Sequence, residues 1–339
     1  MKKTYYLFNP GILQRKDNTL KFTPIISDEN GVDEVEGQPR YIPVENVSDL
    51  YVFGSLQANS ALYNFLGKNN ISVHFFDYYE NYTGSFMSKD YLLSGKMLLC
   101  QVEHYKNKKK RLFLAQSFIT AAAHNMLVNV KYYNRRGKEM EQTIEKMKAL
   151  SESISETKEI DELMGLEGNI RILYYDAFNL IINDFEMGNR TKQPPENEVN
   201  ALISFGNMMC YAECLRAIHQ TQINPTISYL HSPGERRYSL ALDMAEIFKP
   251  VLVDRVIFKV LNKKEIQKKS FNTELNRCLL NESGKKAFVK SFEERLTETI
   301  QHRSLKRHVS YKYLLRLECY KMSKHLLDIE EYKPFKMYW

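Results

Sequence analysis

The sequence predicts an α+β chain, with a small β-sandwich-like N-terminal domain followed by a mainly α-helical one. Three observations carry this expectation. Up to about residue 80, short runs rich in Tyr, Phe, Val and Ile alternate with turn residues, and beyond about residue 90 apolar side chains recur at spacings of three and four. The charge also changes sign between the two parts: residues 1–80 hold seven Lys or Arg against ten Asp or Glu, a net −3, whereas the remainder carries +10. A length of 339 residues, with 43% hydrophobic and 26% charged side chains, suits two soluble globular domains at roughly 150 residues each.

In chain order, Tyr5–Phe8, Ile12–Arg15 and Leu20–Phe22 read as strands around Asn9-Pro10-Gly11 and Asp17-Asn18, which supply hairpin turns. Arg40–Val44 and Leu50–Phe53 continue the pattern, Gly54 turns the chain, Leu56–Leu66 has helical spacing and Ile71–Phe76 closes the unit as a strand. The aromatic and polar stretch from Tyr78 to Asp90 reads as a linker, giving domains at 1–80 and 91–339 with residues 81–90 between them. Helices follow over Tyr91–Tyr105, Arg111–Tyr132, Glu139–Thr157, Ile160–Asn183, Glu196–Gln220, Ser239–Leu261, Lys285–Leu305 and Tyr311–Leu327. Breakers at Asn134–Gly137, Pro194-Pro195, Ser232–Gly234 and Ser283-Gly284 separate several of them.

No apolar run reaches the ~20 residues that cross a bilayer, and the opening segment lacks a signal-peptide cleavage site, so a cytoplasmic protein is expected. Five cysteines with no Cys-x-x-Cys pair predict no disulfide framework, and Cys210 and Cys214 are expected as buried thiols rather than zinc ligands. There is no phosphate-binding Gly-x-x-x-x-Gly-Lys-Ser/Thr, no Gly-x-Gly-x-x-Gly and no His-Glu-x-x-His, which removes the usual marks of nucleotide-driven, dinucleotide and metalloprotease chemistry. The absence of His-x-x-Arg sets aside a tyrosine recombinase.

What remains is a set of acids and a histidine in apolar surroundings. Glu167 lies in Leu163-Met-Gly-Leu-Glu-Gly-Asn-Ile-Arg-Ile-Leu-Tyr-Tyr175, where it is either a functional carboxylate or a helix-surface acid paired with Arg171 one turn later. Asp243 and Glu246 share a face of the next candidate helix, and His231 precedes a turn that can fold back over it. One imidazole with carboxylates from separate helices suits a hard divalent ion such as Mg²⁺ or Mn²⁺, although a capping histidine with surface acids has the same spacing. The +10 segment suits a polyanion, and is equally a basic surface with no special partner.

The order of these motifs resembles the CRISPR-associated integrase and endonuclease family that inserts new spacers during adaptation. The resemblance rests on Leu-Glu-Gly-x-x-Arg around Glu167, Gly188-x-Arg190-x-x-x-Pro194-Pro195 followed by Val199–Gly206, and Leu230-His231 followed by Ser239–Pro250. Tyr332–Phe335, Phe53–Leu56 and Ile71–Phe76 extend it over nearly the whole chain. It implies Glu167, His231 and Glu246 as ligands of Mg²⁺ or Mn²⁺, Asp243 in support, and transesterification by a DNA 3′-hydroxyl. It further implies short duplex and repeat DNA as substrates, a homodimer through residues 1–80, and a small ferredoxin-like adaptation protein as partner. Arg171, Arg190, Arg236, Arg237, Lys249 and Arg255 are the candidate DNA contacts, alongside the basic runs Lys106–Arg111, Arg135-Arg136 and Lys306-Arg307. Thr221–Pro225 and Lys249 depart from the family pattern. A non-enzymatic nucleic-acid scaffold and a branched-DNA repair nuclease are the rival readings.

Overall fold

The structure, a computed structural model, describes residues 2–27, 34–77, 79–87, 92, 94–192, 194–234, 238–274 and 277–338. The chain divides into two units, Met1–Tyr91 and Leu92–Trp339. The first contains β1 (Lys3–Leu7), β2 (Gly11–Lys16), β3 (Thr19–Ser27), β4 (Glu34–Glu36), β5 (Arg40–Pro43), β6 (Val47–Val52), β7 (Leu56–Gln57), α1 (Ser60–Lys68), β8 (Ser72–Phe76) and β9 (Tyr82–Phe86). They form two sheets, one ordered β1-β6-β8-β9 and one ordered β4-β3-β2-β7 with β5 also on β3. Leu20 and Phe22 from one sheet, Leu50 and Val73 from the other, and Leu62 and Leu66 from α1 meet in a single apolar core.

Two local readings of this unit change. Asp17-Asn18 does reverse β2 into β3, with Asp17 in the left-handed region at φ 53°. Asn9-Pro10-Gly11, however, makes no hairpin, because β1 pairs in parallel with β6 while β2 belongs to the other sheet. Gly54 is needed at this crossing, since a Cβ there would lie 2.6 Å from the Asn9 carbonyl carbon. The stretch read as a linker contributes a strand: Tyr82–Phe86 is β9, antiparallel to β8.

The second unit is helical, with α2 (Gly95–Lys106), α3 (Lys108–Asn134), α4 (Glu141–Glu152), α5 (Ile160–Asp176), α6 (Phe178–Ile181), α7 (Glu198–His219), α8 (Ser239–Phe248) and α9 (Arg255–Asn262). Then come the hairpin β10 (Phe271–Glu274) and β11 (Arg277–Leu280), α10 (Glu282–Thr297), the hairpin β12 (Thr299–His302) and β13 (Arg307–Ser310), and α11 (Tyr311–Leu326). The long α3 starts on Asn107, whose Oδ1 accepts from the amides of Lys109 and Lys110 at 3.1 Å, and packs against α4, α5 and α8. Neither hairpin is predicted by the sequence, and the helix expected over Lys285–Leu305 stops at Thr297. The helix expected over Ser239–Leu261 is interrupted, because Pro250 has no amide to donate and the chain widens into a π-helical turn over Lys249–Asp254. Asn129 Nδ2 donates to the Pro250 carbonyl at 2.8 Å, and Arg295 Nε to that of Val251 at 3.0 Å.

The C-terminal segment is tied down by buried polar bonds rather than by regular structure. Tyr332 Oη donates to Glu318 Oε1 at 2.6 Å, the Phe335 amide donates to the same oxygen at 3.2 Å, and the Met337 amide donates to Asn125 Oδ1 at 2.7 Å. Asn125 Nδ2 also donates to the Ile247 carbonyl, so the tail and α8 share one anchor. Cys210, Cys214, Cys278 and Cys319 are buried free thiols, and burial pushes the Cys214 thiol up. Among the described residues no helix is long and apolar enough to cross a membrane.

Two histidines clamp α2 to α11 beneath this tail. The Nδ1–H of His104 donates to the Cys100 carbonyl, while His325 Nδ1 accepts from the Tyr332 amide, so neutral His325 carries its proton on Nε2. The rings lie 5.3 Å apart. Burial, and then His104, lower the pKa of His325 below its ordinary value. The unfolded chain therefore binds this proton more readily, and the stabilisation present above about pH 6.5 is lost as the pH falls below it. Thermal melts at pH 7.5 and 5.5 should show a larger acid-side drop for the wild type than for H325Q. Equal drops would remove His325 as a cause.

Candidate functional site

Two helices distant in sequence place their acids on one guanidinium. Glu167 is in the middle of α5, and Arg171, one turn on, donates from Nε to Glu167 Oε1 at 2.5 Å. The same guanidinium reaches across to α8, where Nη2 donates to Glu246 Oε2 at 2.5 Å. The other Glu246 oxygen accepts from Lys249 Nζ at 2.6 Å, a contact made as the chain enters the π-helical turn. Burial alone would raise the Glu246 carboxyl, but Lys249 and Arg171 outweigh it and hold the group down to about 2. Glu246 is thus an anion with both oxygens on cations.

Asp243, one turn before Glu246, faces a different element. It has no solvent exposure, and its Oδ2 accepts from the amides of Tyr229 and Leu230 at 2.7 and 3.0 Å. Its Oδ1 accepts from the His231 amide at 3.0 Å and from His231 Nδ1 at 2.8 Å. A carboxylate acceptor places the ring proton on Nδ1, which leaves the Nε2 lone pair of neutral His231 available. Asp243 therefore sets the turn, the tautomer and the ring direction together. Arg111 Nε donates to the Tyr229 carbonyl at 2.9 Å, and Gln101 exchanges two hydrogen bonds with the Asn224 backbone, bracing the same loop. His231 lies close enough to Glu246 for its ring, when it carries a second proton, to help hold that carboxyl down. Among the described residues, no three His, Cys, Asp or Glu side chains are gathered closely enough to hold a metal ion. The carboxylates are held by Arg171 and Lys249.

A family model described as CRISPR associated protein Cas1 matches residues 5–294. The chain belongs to the Cas1 family. It is 45% identical over 342 residues to a CRISPR-associated endonuclease Cas1 of Fusobacterium nucleatum subsp. nucleatum, covering 100% of this chain and 98% of the relative. A Cas1 protein from Thermotoga maritima superposes with a TM-score of 0.81 at 35% identity, covering 99% of this chain and 100% of that one. The fold is also that of a casposase bound to integration product, with a TM-score of 0.87 at 19% identity over 100% of this chain and 95% of that chain.

Arg190, Arg255, Arg171 and Lys249, which the Cas1 resemblance also marked, are engaged with the protein itself. Arg190 donates to Asn200 Oδ1 at 2.9 Å and Ser204 Oγ at 3.1 Å, which fastens the loop containing Gly188 to α7. The Arg255 guanidinium lies 4.6 Å from the centre of the Tyr132 ring. Arg171 and Lys249 pair with Glu246 as described, and Glu167 is ion-paired to Arg171, which joins it to Glu246. Arg236 and Arg237 lie outside the described residues. Sequence reasoning missed Asp254, which closes the π-helical turn beneath Arg171. Burial pushes its carboxyl up to about 7, against the pull of its hydrogen bond to Tyr174 and of Arg171 and Lys249. Tyr174 Oη in turn accepts from Asn129 at 2.8 Å. An acid within the apolar run Pro250–Phe258 was the available signal.

Proposed function

We propose that this chain is a divalent-metal-dependent DNA endonuclease and integrase that inserts new spacers into a CRISPR array. The observation that carries the reading is the convergence of Glu167 and Glu246, from α5 and α8, on a single cationic group. The donor types, rather than their present arrangement on Arg171 and Lys249, match the metal the resemblance implies. Two carboxyl groups supply hard oxygen donors, and a histidine whose Nδ1–H is committed to Asp243 supplies a nitrogen donor. Glu167, His231 and Glu246 would hold the ion, which when bound supplies Lewis-acid stabilisation of charge on the scissile phosphate. Asp243 keeps the His231 ring in one tautomer and direction, and the π-helical turn keeps Lys249 beside Glu246. The endonuclease name of the Fusobacterium relative and the integration product in the casposase structure support the same chemistry.

DNA meets the basic second unit, a homodimer forms through residues 1–80, and a small ferredoxin-like adaptation protein completes the assembly. The test is joining of a labelled short duplex to a supercoiled plasmid carrying a repeat, with and without Mn²⁺. Joining that requires Mn²⁺ and the repeat supports the integrase. Cleavage of branched DNA without joining favours the repair nuclease, and metal-independent binding without either favours the scaffold. Duplex affinity should fall at least tenfold between about 50 and 200 mM salt, because phosphate contacts release counterions. A flat response in filter binding would remove the +10 segment as the DNA surface.

A further inference from the structure

We infer that Arg171 is an internal counter-cation that occupies the carboxylates in place of the metal and competes with it, so that this residue sets the ion concentration at which the centre loads. The inference deepens the proposed function and rests on its metal shell. Three observations carry it.

The first is the bonding. Arg171 Nε and Nη2 together span Glu167 Oε1 and Glu246 Oε2, while Lys249 takes Glu246 Oε1. Both oxygens of Glu246 are therefore committed to cations, and one oxygen of Glu167 is as well. A divalent ion that takes the place between Glu167 Oε1 and Glu246 Oε2 has to displace the Arg171 bonds.

The second is charge. Without Arg171, two carboxylates would face each other in a site where the Arg171 and Glu167 side chains are only 19% and 15% exposed and that of Glu246 is 8% exposed. Apposed acids at that burial need a compensating charge to stay ionised. A guanidinium suits this holding role, because its planar fork can bond two carboxylates at once. It opposes a second cation in the same place by both contact and repulsion.

The third is that Arg171 has somewhere to go. Tyr175, one further turn along α5, also hydrogen-bonds the Arg171 side chain, and Asp254 is near enough to act on it electrostatically. Rotation about the Arg171 side chain toward Tyr175 and Asp254 keeps its charge compensated after the carboxylates are released. On this view Arg171 is a positioning residue acting through Glu167 and Glu246, and the metal must outcompete a tethered cation.

The experiment is an equilibrium titration of Mn²⁺ into the full chain, with free Mn²⁺ read by electron paramagnetic resonance. Wild type, R171Q and R171K are compared, with E167Q and H231A defining binding that belongs to this site. R171Q should bind Mn²⁺ at least tenfold more tightly than wild type. R171K keeps the charge but loses the two-carboxylate fork, and should gain affinity by a smaller factor. In thermal melts R171Q should be less stable than wild type in EDTA and gain more on adding Mn²⁺. A purely structural Arg171, one that pre-arranges the acids for the metal, gives the opposite result: R171Q and R171K bind equally or more weakly, which overturns the inference. If R171Q does not fold without metal, R171K alone decides by the same criterion. If wild type shows no Mn²⁺ binding that E167Q and H231A remove, the metal shell itself falls and the inference falls with it. Site-specific binding in wild type with no gain in the Arg171 variants overturns the inference alone.

Discussion

Replacement of Glu167, His231 or Glu246 by Ala should each reduce strand joining and cleavage by roughly 10²-fold or more, the order seen when one group that stabilises transition-state charge is removed. The three substitutions should differ in their side effects. Glu167→Ala leaves Arg171 with Glu246 and Glu246→Ala leaves it with Glu167, but Glu246→Ala also strands Lys249 in a partly buried site and should lower stability as well. His231→Ala leaves the carboxylate pairs intact and should be the cleanest loss of chemistry. Duplex binding without metal should be unchanged or slightly tighter for either Glu variant, because negative charge is removed. The measurement is the joining assay in Mn²⁺, paired with metal-free binding and melting curves. Near-wild-type joining by Glu167→Ala or His231→Ala would overturn the catalytic assignment and leave the scaffold reading.

Asp243→Ala should destabilise the fold by about 3–5 kcal/mol, the range for removing one member of a buried, fully engaged polar cluster. The carboxylate accepts three backbone amides and one ring N–H without solvent contact, so its loss strands four donors at once. Asp243→Asn is the informative partner. It preserves volume but cannot accept from all four donors, and it weakens control of the His231 tautomer. Joining by Asp243→Asn should fall about 10- to 100-fold, the usual effect of a group that orients a ligand, with duplex binding retained. Urea denaturation gives the stability change, and joining at saturating DNA gives the catalytic one. If Asp243→Ala were as stable as wild type, the turn at residues 229–231 would not depend on this carboxylate.

Much of the architecture was legible because the signals are local. Short apolar runs with Asp17-Asn18 gave β2 and β3, and spacings of three and four gave α3, α7 and α11 close to their observed ends, whereas the single helix expected over Ile160–Asn183 ends at Asp176 and is followed by the separate α6. The errors lie where local signals coincide. Asn9-Pro10-Gly11 has hairpin composition, but the partner of β1 is β6, more than forty residues later. Leu296 and Ile300 are still four residues apart, yet the chain leaves α10 at Thr297 and pairs Thr299–His302 with Arg307–Ser310. Tyr82–Phe86 is short, polar and contains Gly84, and becomes a strand because β8 offers it an edge.

The same division runs through the site. The sequence by itself determined which side chains are available and their local spacing: Glu167 and Arg171 one turn apart, and Asp243 and Glu246 one turn apart on a second helix. Only the tertiary structure decided what each faces. It turned Asp243 onto residues 229–231, carried Arg171 across to Glu246, and opened the helix after Lys249 so that Asp254 closes the turn against Tyr174. Periodicity fixes the face of a helix on which a residue lies, since that depends on neighbours three and four positions away. The charge that meets it there is set by the packing of α5 against α3 and of α3 against α8, and no spacing along the chain records that contact.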